Sequence, residues 1–513
     1  MKILSNSQIK AADNYTIKNE PIKSVDLMER AAGKCFDWIY ENAPRLFPVS
    51  ITEESAWVFH VVCGMGNNGG DGLVIARLLQ RNGYNVEISL VRFTEEGSDD
   101  FNVNFGKLGA AKKSVRDIRS KTDIPAFAPD CVVIDAIFGS GISRVVDGVA
   151  AETIQAINTS GATVVSIDMP SGIFSADNSG NDLSKVVCAH HVLTFETPKL
   201  SFFLAECAPL VGKIHVLDIG LHPDFMRDVE VVHNVVTPDM VAAFHKPRQR
   251  FSHKGTFGHA LIIAGSPGKW GAAVLAVKAC MRAGAGLVSV HIGKAGGQMV
   301  GNHLPEAMVL ADESDTHFSN LPDLSPFSAI GVGPGIGTSS EVAATLKLLI
   351  QESKVPLVLD ADALNILSEN KTWLAFLPKG SILTPHPGEF ARLAGEKLSH
   401  FAAIEKQREL SQKHQIYILL KGAHSSLSLP DGQVLINSTG NPGMASAGMG
   451  DTLTGIITGF LAGPCTSMEA AALGIYIHGK AGDLALKSQS HESLIASDLI
   501  DHLGLAFKSL HQI

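Results

Sequence analysis

The sequence predicts an α/β protein in two halves, each a parallel sheet covered by helices. Three observations carry that expectation. Short apolar, β-branched runs alternate with helical patterns along all 513 residues, as sheets buried on both faces require. Acids, amides and glycines gather where those runs end, the edge at which open parallel sheets bind ligands. The stretch LHPDFMRDVEVVHNVVTPDMVAAFHKPRQR mixes charge and apolar residues without a period. It separates the two series and puts a boundary near residue 230, within about ten residues.

In the first half the expected strands are WVFHVVCG, NVEISLVRF, CVVIDAIFG, TVVSIDMPSG, HHVLTFETP and KIHVLDIG. In the second they are HALIIAGS, GLVSVHIG, FSAIGVGPGIG, VPLVLDADALNIL, GSILTPHPGEF and IYILLKGAHSS. No fixed-period repeat interrupts either series. Two ligand-binding edges imply two sites, hence a bifunctional enzyme.

Composition limits the alternatives. Hydrophobic residues make up 45% and charged residues 18%, enough for a sizeable core and unlike a disordered chain. A net charge of −9 argues against a general nucleic-acid or anionic-membrane binder. The basic cluster from His245 to Lys254 reads as a solvated linker. The seven cysteines are scattered without a C-x-x-C pair, which suits neither a disulfide framework nor zinc and points to a reducing cytoplasm. The first twenty residues lack the apolar core of a signal peptide, and lysine, arginine or glycines break the most apolar stretches. The expectation is a soluble cytoplasmic protein, with its oligomeric state, homo-oligomer included, left open.

VVCGMGNNGGDGLVIARLL reads strand, glycine loop, helix, with Gly64, Gly66 and Gly69 in the G-x-G-x-x-G spacing. That motif alone is weak support for a dinucleotide fold. Asp71, expected at the helix start, would repel a pyrophosphate; it suits a cap, an acceptor for a hydroxyl or amide, or an indirect ion contact. Asp135 and Asp168 end two further strands, with Ser171 just beyond. No Cys/His cluster accompanies them, so the Asn, Asp and Ser oxygens suit a hard cation rather than a transition metal.

In NPGMASAGMGDTLTGIITGFLAG, Leu453, Ile456, Ile457, Phe460 and Leu461 recur at helical spacing. Asp451 is expected at or next to the N-cap of that helix. A cap needs no glycines before it, whereas a loop around a phosphate does, and Gly443, Gly448 and Gly450 precede this acid. No P-loop occurs. Lys421, at a strand end, is placed to hold nucleotide phosphates, and the amides of Gly448, Met449 and Gly450 to take the transferring phosphoryl group. Asp451 is then the base for the attacking hydroxyl and a cap as well. His386 and Glu389 read as a substrate-contact loop rather than metal ligands. Gly455 and Gly459 cost the helix about 1 kcal/mol each relative to Ala and share one face, so they imply close approach by a helix or ligand.

CGMGNNGGDG, DAIFGSG and SIDMPSG, in this order, resemble the N-terminal epimerase domain of the bifunctional NAD(P)H-hydrate repair enzymes over most of residues 1–225. HKGTFGHALIIAGS, TPHPGE and NPGMASAGMGD resemble their ADP/ATP-dependent dehydratase domain, a ribokinase-like fold, over about residues 235–513. The resemblance implies a Rossmann-like three-layer epimerase domain at 1–228 and a ribokinase-like dehydratase domain at 235–513. The first would interconvert the R and S epimers of hydrated NADH and NADPH (NADHX and NADPHX). The second would phosphorylate the hydroxyl of the S form and eliminate phosphate.

Matching residues imply epimerase substrate contacts at Asn67, Asn68, Gly69, Gly70 and Asp71, then at Gly139, Ser140, Gly141, Ile142, Ser143, Arg144 and Val145, and at Asp168, the choice for proton transfer. They imply potassium (K+) on Asn68, Asp135 and Ser171. In the second half they imply substrate contacts at Ala272, Gly335, His386 and Asp451, and nucleotide contacts at Lys421, Gly422, Ala423, His424, Ser425 and Gly450, with Mg2+ accompanying ADP or ATP. Ser425 stands where the family's lysine loop often has Thr; it keeps the hydroxyl and loses a methyl. Both activities on one chain resemble the bacterial form, which favours ADP. The rival is a ribokinase-like small-molecule kinase fused to a Rossmann-like binding or regulatory module. A hydride-transferring dehydrogenase lacks any proton-relay constellation.

Overall fold

The computed structural model describes residues 1–47 and 57–510; residues 511–513 of the expected second domain lie outside them. The chain forms two compact units, Lys2–Val231 and Val232–Ile513.

In the first unit seven strands form one parallel sheet. They are β1 (Val58–Cys63), β2 (Asn85–Val91), β3 (Arg116–Ile118), β4 (Val132–Ala136), β5 (Thr163–Ile167), β6 (Ala189–Phe195) and β7 (Val211–Leu217). All six expected strands are there; β3, only three residues long, gives no pattern in the sequence. The order β3-β2-β1-β4-β5-β6-β7 reverses direction between β1 and β4, which opens a crevice at their carboxyl ends. Alternate strand residues enter opposite cores. Phe59, Val61 and Ile134 pack with helices Ser24–Leu46 and Asn67–Arg81 on one face, Val62 and Val133 with helix Gly148–Asn158 on the other.

The second unit has strands β8 (His233–Val235), β9 (His259–Ile263), β10 (Leu287–Ile292), β11 (Met308–Ala311), β12 (Ala329–Val332), β13 (Leu357–Leu359), β14 (Ile382–Leu383), β15 (Tyr417–Leu420), β16 (Ser426–Ser428) and β17 (Val434–Ile436). Their order is β8-β17-β16-β15-β14-β13-β12-β9-β10-β11. Only the β15/β16 and β16/β17 pairs are antiparallel. Helices Trp270–Arg282 and Met449–Ala462 lie against each other on one face. A Cβ on Gly455 would collide with the carbonyl oxygen of Ala276, and one on Gly459 would come within 2.7 Å of the Cys280 carbonyl oxygen. The glycine face serves helix–helix contact.

The expected linker is more ordered than its composition suggests. It holds helix Pro223–Asp228, β8 and helix Pro238–Phe244. Within the basic cluster Phe251 is 93% exposed, but Arg248 stacks on the Phe257 ring at 4.1 Å and donates to the Gly284 carbonyl at 2.7 Å. Among the described residues no helix is long and apolar enough to cross a membrane.

Candidate active sites

Helix Asn67–Arg81 leaves β1 at the crevice of the first unit. Gly66 is its N-cap and supplies no side-chain cap. A Cβ on Gly64 would strike the Ile137 carbonyl, and one on Gly69 the Gly64 carbonyl, so the glycines let the turn close on the loop after β4. Asp71 is not at the helix start: it is the fifth helical residue, buried and turned to the site. Burial, then Asp168, Asp13 and Asp100, hold its carboxyl well above the usual range.

Asp168 follows β5 in a left-handed conformation, φ +62°, that only surrounding structure sustains. Its Oδ1 accepts from Lys199 Nζ at 2.6 Å and its Oδ2 from the Ser140 amide at 3.1 Å. Lys199 is 2% exposed and also donates to Thr194 Oγ1 at 2.7 Å and to the Thr197 carbonyl at 3.2 Å. This buried pair closes one wall of a cavity of about 680 Å³. The cavity also meets Asn67, Asn68, Asp71, Gly139, Ser140, Gly141, Ile142, Ser143 and Arg144. Gly69, Gly70 and Val145 stand outside its lining. Sequence reasoning missed Lys199 and Asp13; the Thr-Pro-Lys after β6 lies at the same sheet edge and was the available signal.

Asp135 is fully buried under this loop. Its Oδ1 accepts from Ser171 Oγ at 2.5 Å, and its Oδ2 from Ser166 Oγ at 2.7 Å and the Ser171 amide at 2.9 Å. Burial raises its pKa while those hydrogen bonds pull it down. Asn68, 8% exposed, has neither amide oxygen nor amide nitrogen paired. An orphaned amide oxygen together with hydroxyl and carboxylate oxygens is a donor set that fits a hard cation. Among the described residues no three His, Cys, Asp or Glu gather for another metal.

In the second unit, Lys421 follows β15 and donates to Asp360 Oδ1 at 2.7 Å; Thr454 Oγ1 donates to Asp360 Oδ2 at 2.7 Å. Gly450 abuts the pair, for a Cβ there would lie 3.4 Å from Lys421 Nζ. The helix Met449–Ala462 is capped by Gly448 in a left-handed conformation, φ +85°, with no side-chain cap bond. Asp451 is the third helical residue and does not cap. The expectation of a cap fails because the glycine takes the turn that an Asp N-cap would occupy. Burial, then Asp360, push the Asp451 carboxyl up to about 6, with Lys421 opposing. His478 donates to the Met449 carbonyl at 3.0 Å and is itself pushed down to about 4 by burial, so it is a neutral prop for that turn.

His386 and Glu389 form a capping box for helix Pro387–Ala394: His386 Nδ1 accepts from the Gly388 amide at 3.0 Å, and Glu389 Oε2 from the His386 amide at 2.8 Å. The His386 ring is half exposed, with its Nε2 3.4 Å from Glu389 Oε1. Gly335 accepts from Ser266 Oγ at 2.6 Å and packs on Lys269, beside Ala272 in the first turn of helix Trp270–Arg282. Gly422, Ala423, His424 and Ser425 form a turn closed by the Gly422 amide on Ser425 Oγ at 3.2 Å, with His424 Nδ1 donating to the Asn437 carbonyl at 3.2 Å. Asp360, within VPLVLDADALNIL, is one of the strand-end acids that the sequence marks; Thr454, inside the helix Met449–Ala462, was not singled out.

A family model described as NAD(P)H-hydrate dehydratase matches residues 260–504, and one described as YjeF-related protein N-terminus matches residues 24–201. The bifunctional NAD(P)H-hydrate repair enzyme of Moorella thermoacetica is 34% identical over 100% of this chain and 98% of its own. That of Coxiella burnetii is 33% identical over 98% of each. The crystal structure of an ADP/ATP-dependent NAD(P)H-hydrate dehydratase from Bacillus subtilis, co-crystallised with ATP/Mg2+, covers 54% of this chain and 98% of that one at 31% identity and a TM-score of 0.48. With full-length relatives at this identity, the chain belongs to the family of bifunctional NAD(P)H-hydrate repair enzymes.

Proposed function

We propose that the two activities of this bifunctional repair enzyme divide along the chain: residues 1–228 epimerise NADHX and NADPHX, and residues 235–513 dehydrate the S epimer at the expense of ADP in preference to ATP. The observation that supports this most directly is Asp451. It stands in the first turn of a helix, uncommitted to capping, beside the Lys421–Asp360 pair.

Asp451 takes the proton of the hydrate's hydroxyl, and the oxygen attacks the terminal phosphoryl group of the nucleotide. The amides of Gly448, Met449 and Gly450 receive the phosphoryl oxygens at the positive helix end. Lys421 and the turn Gly422, Ala423, His424 and Ser425 hold the nucleotide, which arrives as its magnesium complex. Ala272, Gly335 and His386 contact the hydrate. The ring nitrogen's lone pair then expels phosphate and a proton leaves the adjacent carbon, restoring the reduced ring.

In the first unit Asp168 transfers protons at the hydrated carbon, and Asn67, Asn68, Asp71 and the loop from Gly139 to Arg144 hold the substrate. Asn68, Asp135 and Ser171 would hold potassium, which would supply a fixed positive charge near the cavity. We place the enzyme in the cytoplasm, where its cofactor substrates are.

The test is to incubate mixed hydrates with ADP and magnesium. Wild type should restore reduced-cofactor absorbance from both epimers and release phosphate. Asp168→Asn should consume the S epimer at the normal rate and leave the R epimer to spontaneous conversion. A phosphorylated product that persists would favour the small-molecule kinase instead.

A further inference from the structure

The first helix, Asn6–Asn19, falls outside the residues the family models match, yet it forms part of the wall of the epimerase cavity. Leu4, Ile9, Lys10 and Asp13 face that space. Its N-terminal end is held in place. Ser5 and Gln8 close a capping box at its start, and Asn6 Nδ2 donates to the Ser140 carbonyl at 2.6 Å, in the loop that also meets Asp168.

The reaction proposed for this site sets a requirement. Adding water across the enamine double bond of a dihydronicotinamide leaves the hydroxyl on the carbon bonded to the ring nitrogen. Inverting that carbon needs no C–H bond to break. The nitrogen lone pair forms C=N as the C–O bond breaks, and an acid protonates the departing oxygen. Water then adds to the opposite face, its oxygen supplying the electron pair of the new C–O bond, which returns the C=N pair to nitrogen, while a base takes the water's proton. No oxidant or reductant enters, and one proton given balances one taken. Two proton carriers are required, and Asp168 is one group.

We infer that Asp13 is the second proton carrier of the epimerase, a catalytic residue on the first helix that works with Asp168 on the two faces of the hydrated carbon. This rests on the epimerase reading of the first unit. The groups around the cavity explain why Asp13 suits the task. Asp168 is committed to Lys199 and the Ser140 amide, whereas among the described residues Asp13 has no hydrogen-bond or ion-pair partner. Of the charged groups lining the space, Lys10, Asp71, Arg144, Asp168, Glu196 and Lys199, Asp168 adds to burial in pushing the Asp13 carboxyl up to about 6, and Lys199 opposes. A carboxyl in that range is available as acid and as base near neutrality. Asp71 lines the same space but is held well above the usual range by burial, which favours its protonated form as a hydrogen-bond donor to substrate.

The experiment follows conversion of pure R hydrate to S by chromatography in the full chain without nucleotide, for wild type, Asp13→Asn and Asp13→Glu. The expected result for Asp13→Asn is a kcat lower by on the order of 10²-fold, KM nearly unchanged and loss of the pH limb near 6, with Asp13→Glu recovering part of the rate. Near-UV circular dichroism and a thermal transition of the first unit matching those of the wild type show that the variant is folded. Near-wild-type kcat in Asp13→Asn, or a raised KM with kcat intact, overturns the inference while leaving the epimerase reading in place. A wild-type chain inert toward the R hydrate overturns both.

Discussion

Asp360 binds the Lys421 ammonium through Oδ1 at 2.7 Å while its other oxygen accepts the Thr454 hydroxyl at the same distance. Three elements meet in that carboxylate: the ends of β13 and β15 and the helix that carries Asp451 one turn before Thr454. Lys421 therefore stands between two acids rather than one. Its charge offsets Asp360 through a direct ion pair and Asp451 at longer range.

Replacing Asp360 with Asn removes the charge that, after burial, does most to raise the Asp451 pKa, and frees Lys421 to act on Asp451. Both changes favour the carboxylate. The acid limb of the dehydratase pH–rate profile, expected near 6 in wild type, should move to lower pH. Stability should fall toward the low end of the about 3–5 kcal/mol that breaking a buried pair costs, since Lys421 retains some contact with water. Denaturant midpoints and kcat against pH check the two effects; a limb displaced upward would contradict this electrostatic account.

The helix glycines make a sharper contest. Propensity alone predicts that Gly455→Ala stabilises the protein by about 1 kcal/mol. The structure predicts the reverse, because the new methyl would meet the backbone carbonyl of Ala276 on the facing helix, which no side-chain rotation relieves. Overpacking of this kind costs about 1–3 kcal/mol or more. The expected result is a lower melting temperature and a weakened dehydratase, with the epimerase unaffected. A variant as stable as wild type would mean that the two helices separate easily.

Much of this was legible in the sequence because strong signals are local. The apolar runs announced the longer strands, and glycine loops with strand-end acids announced both sites. What escaped was set by neighbours distant in the chain. Lys199 looks like any surface lysine until β6 lies beside β5 and delivers it to Asp168. Asp13 sits in an ordinary amphipathic helix, with nothing nearby in sequence to mark the cavity it meets. β16 and β17 are three residues each, too short to show a period. Asp71 and Asp451 were read as starting their helices because acids favour that position; in both loops a glycine takes the N-cap and moves the acid inward, to the fifth and third positions.

Potassium should matter to one activity only. Wild-type epimerisation should fall when potassium is replaced by a large organic cation, while ADP-dependent dehydration of pure S hydrate continues. Asp135→Ala removes the one carboxylate among the proposed ligands, so it should lose epimerase activity and its response to potassium together. Epimerisation that is indifferent to potassium in the wild type would refute the ion site that Asn68, Asp135 and Ser171 suggest.

Asp451→Asn separates chemistry from structure. Gly448 supplies the N-cap and Asp451 makes no cap bond, so the amide forfeits only a favourable charge at the helix start, worth about 0.3–1 kcal/mol. Against that stands the burial of the carboxylate. Folding raises its pKa from 3.8 to about 6, so the folded state holds the proton more tightly than the unfolded chain does. Stability is therefore lost as pH climbs from 3.8 through about 6, and the loss is complete at pH 7. The neutral amide escapes it, and Asp451→Asn should melt no lower than wild type at pH 7. Its dehydratase rate, in contrast, should drop on the order of 10²–10⁴-fold, the usual contribution of a positioned base, at about 1.4 kcal/mol of transition-state stabilisation per tenfold. Nucleotide binding should persist through Lys421 and the turn after it, and epimerisation should be unchanged. A well-folded Asp451→Asn enzyme that dehydrates the S hydrate at nearly the wild-type rate would remove Asp451 from the mechanism.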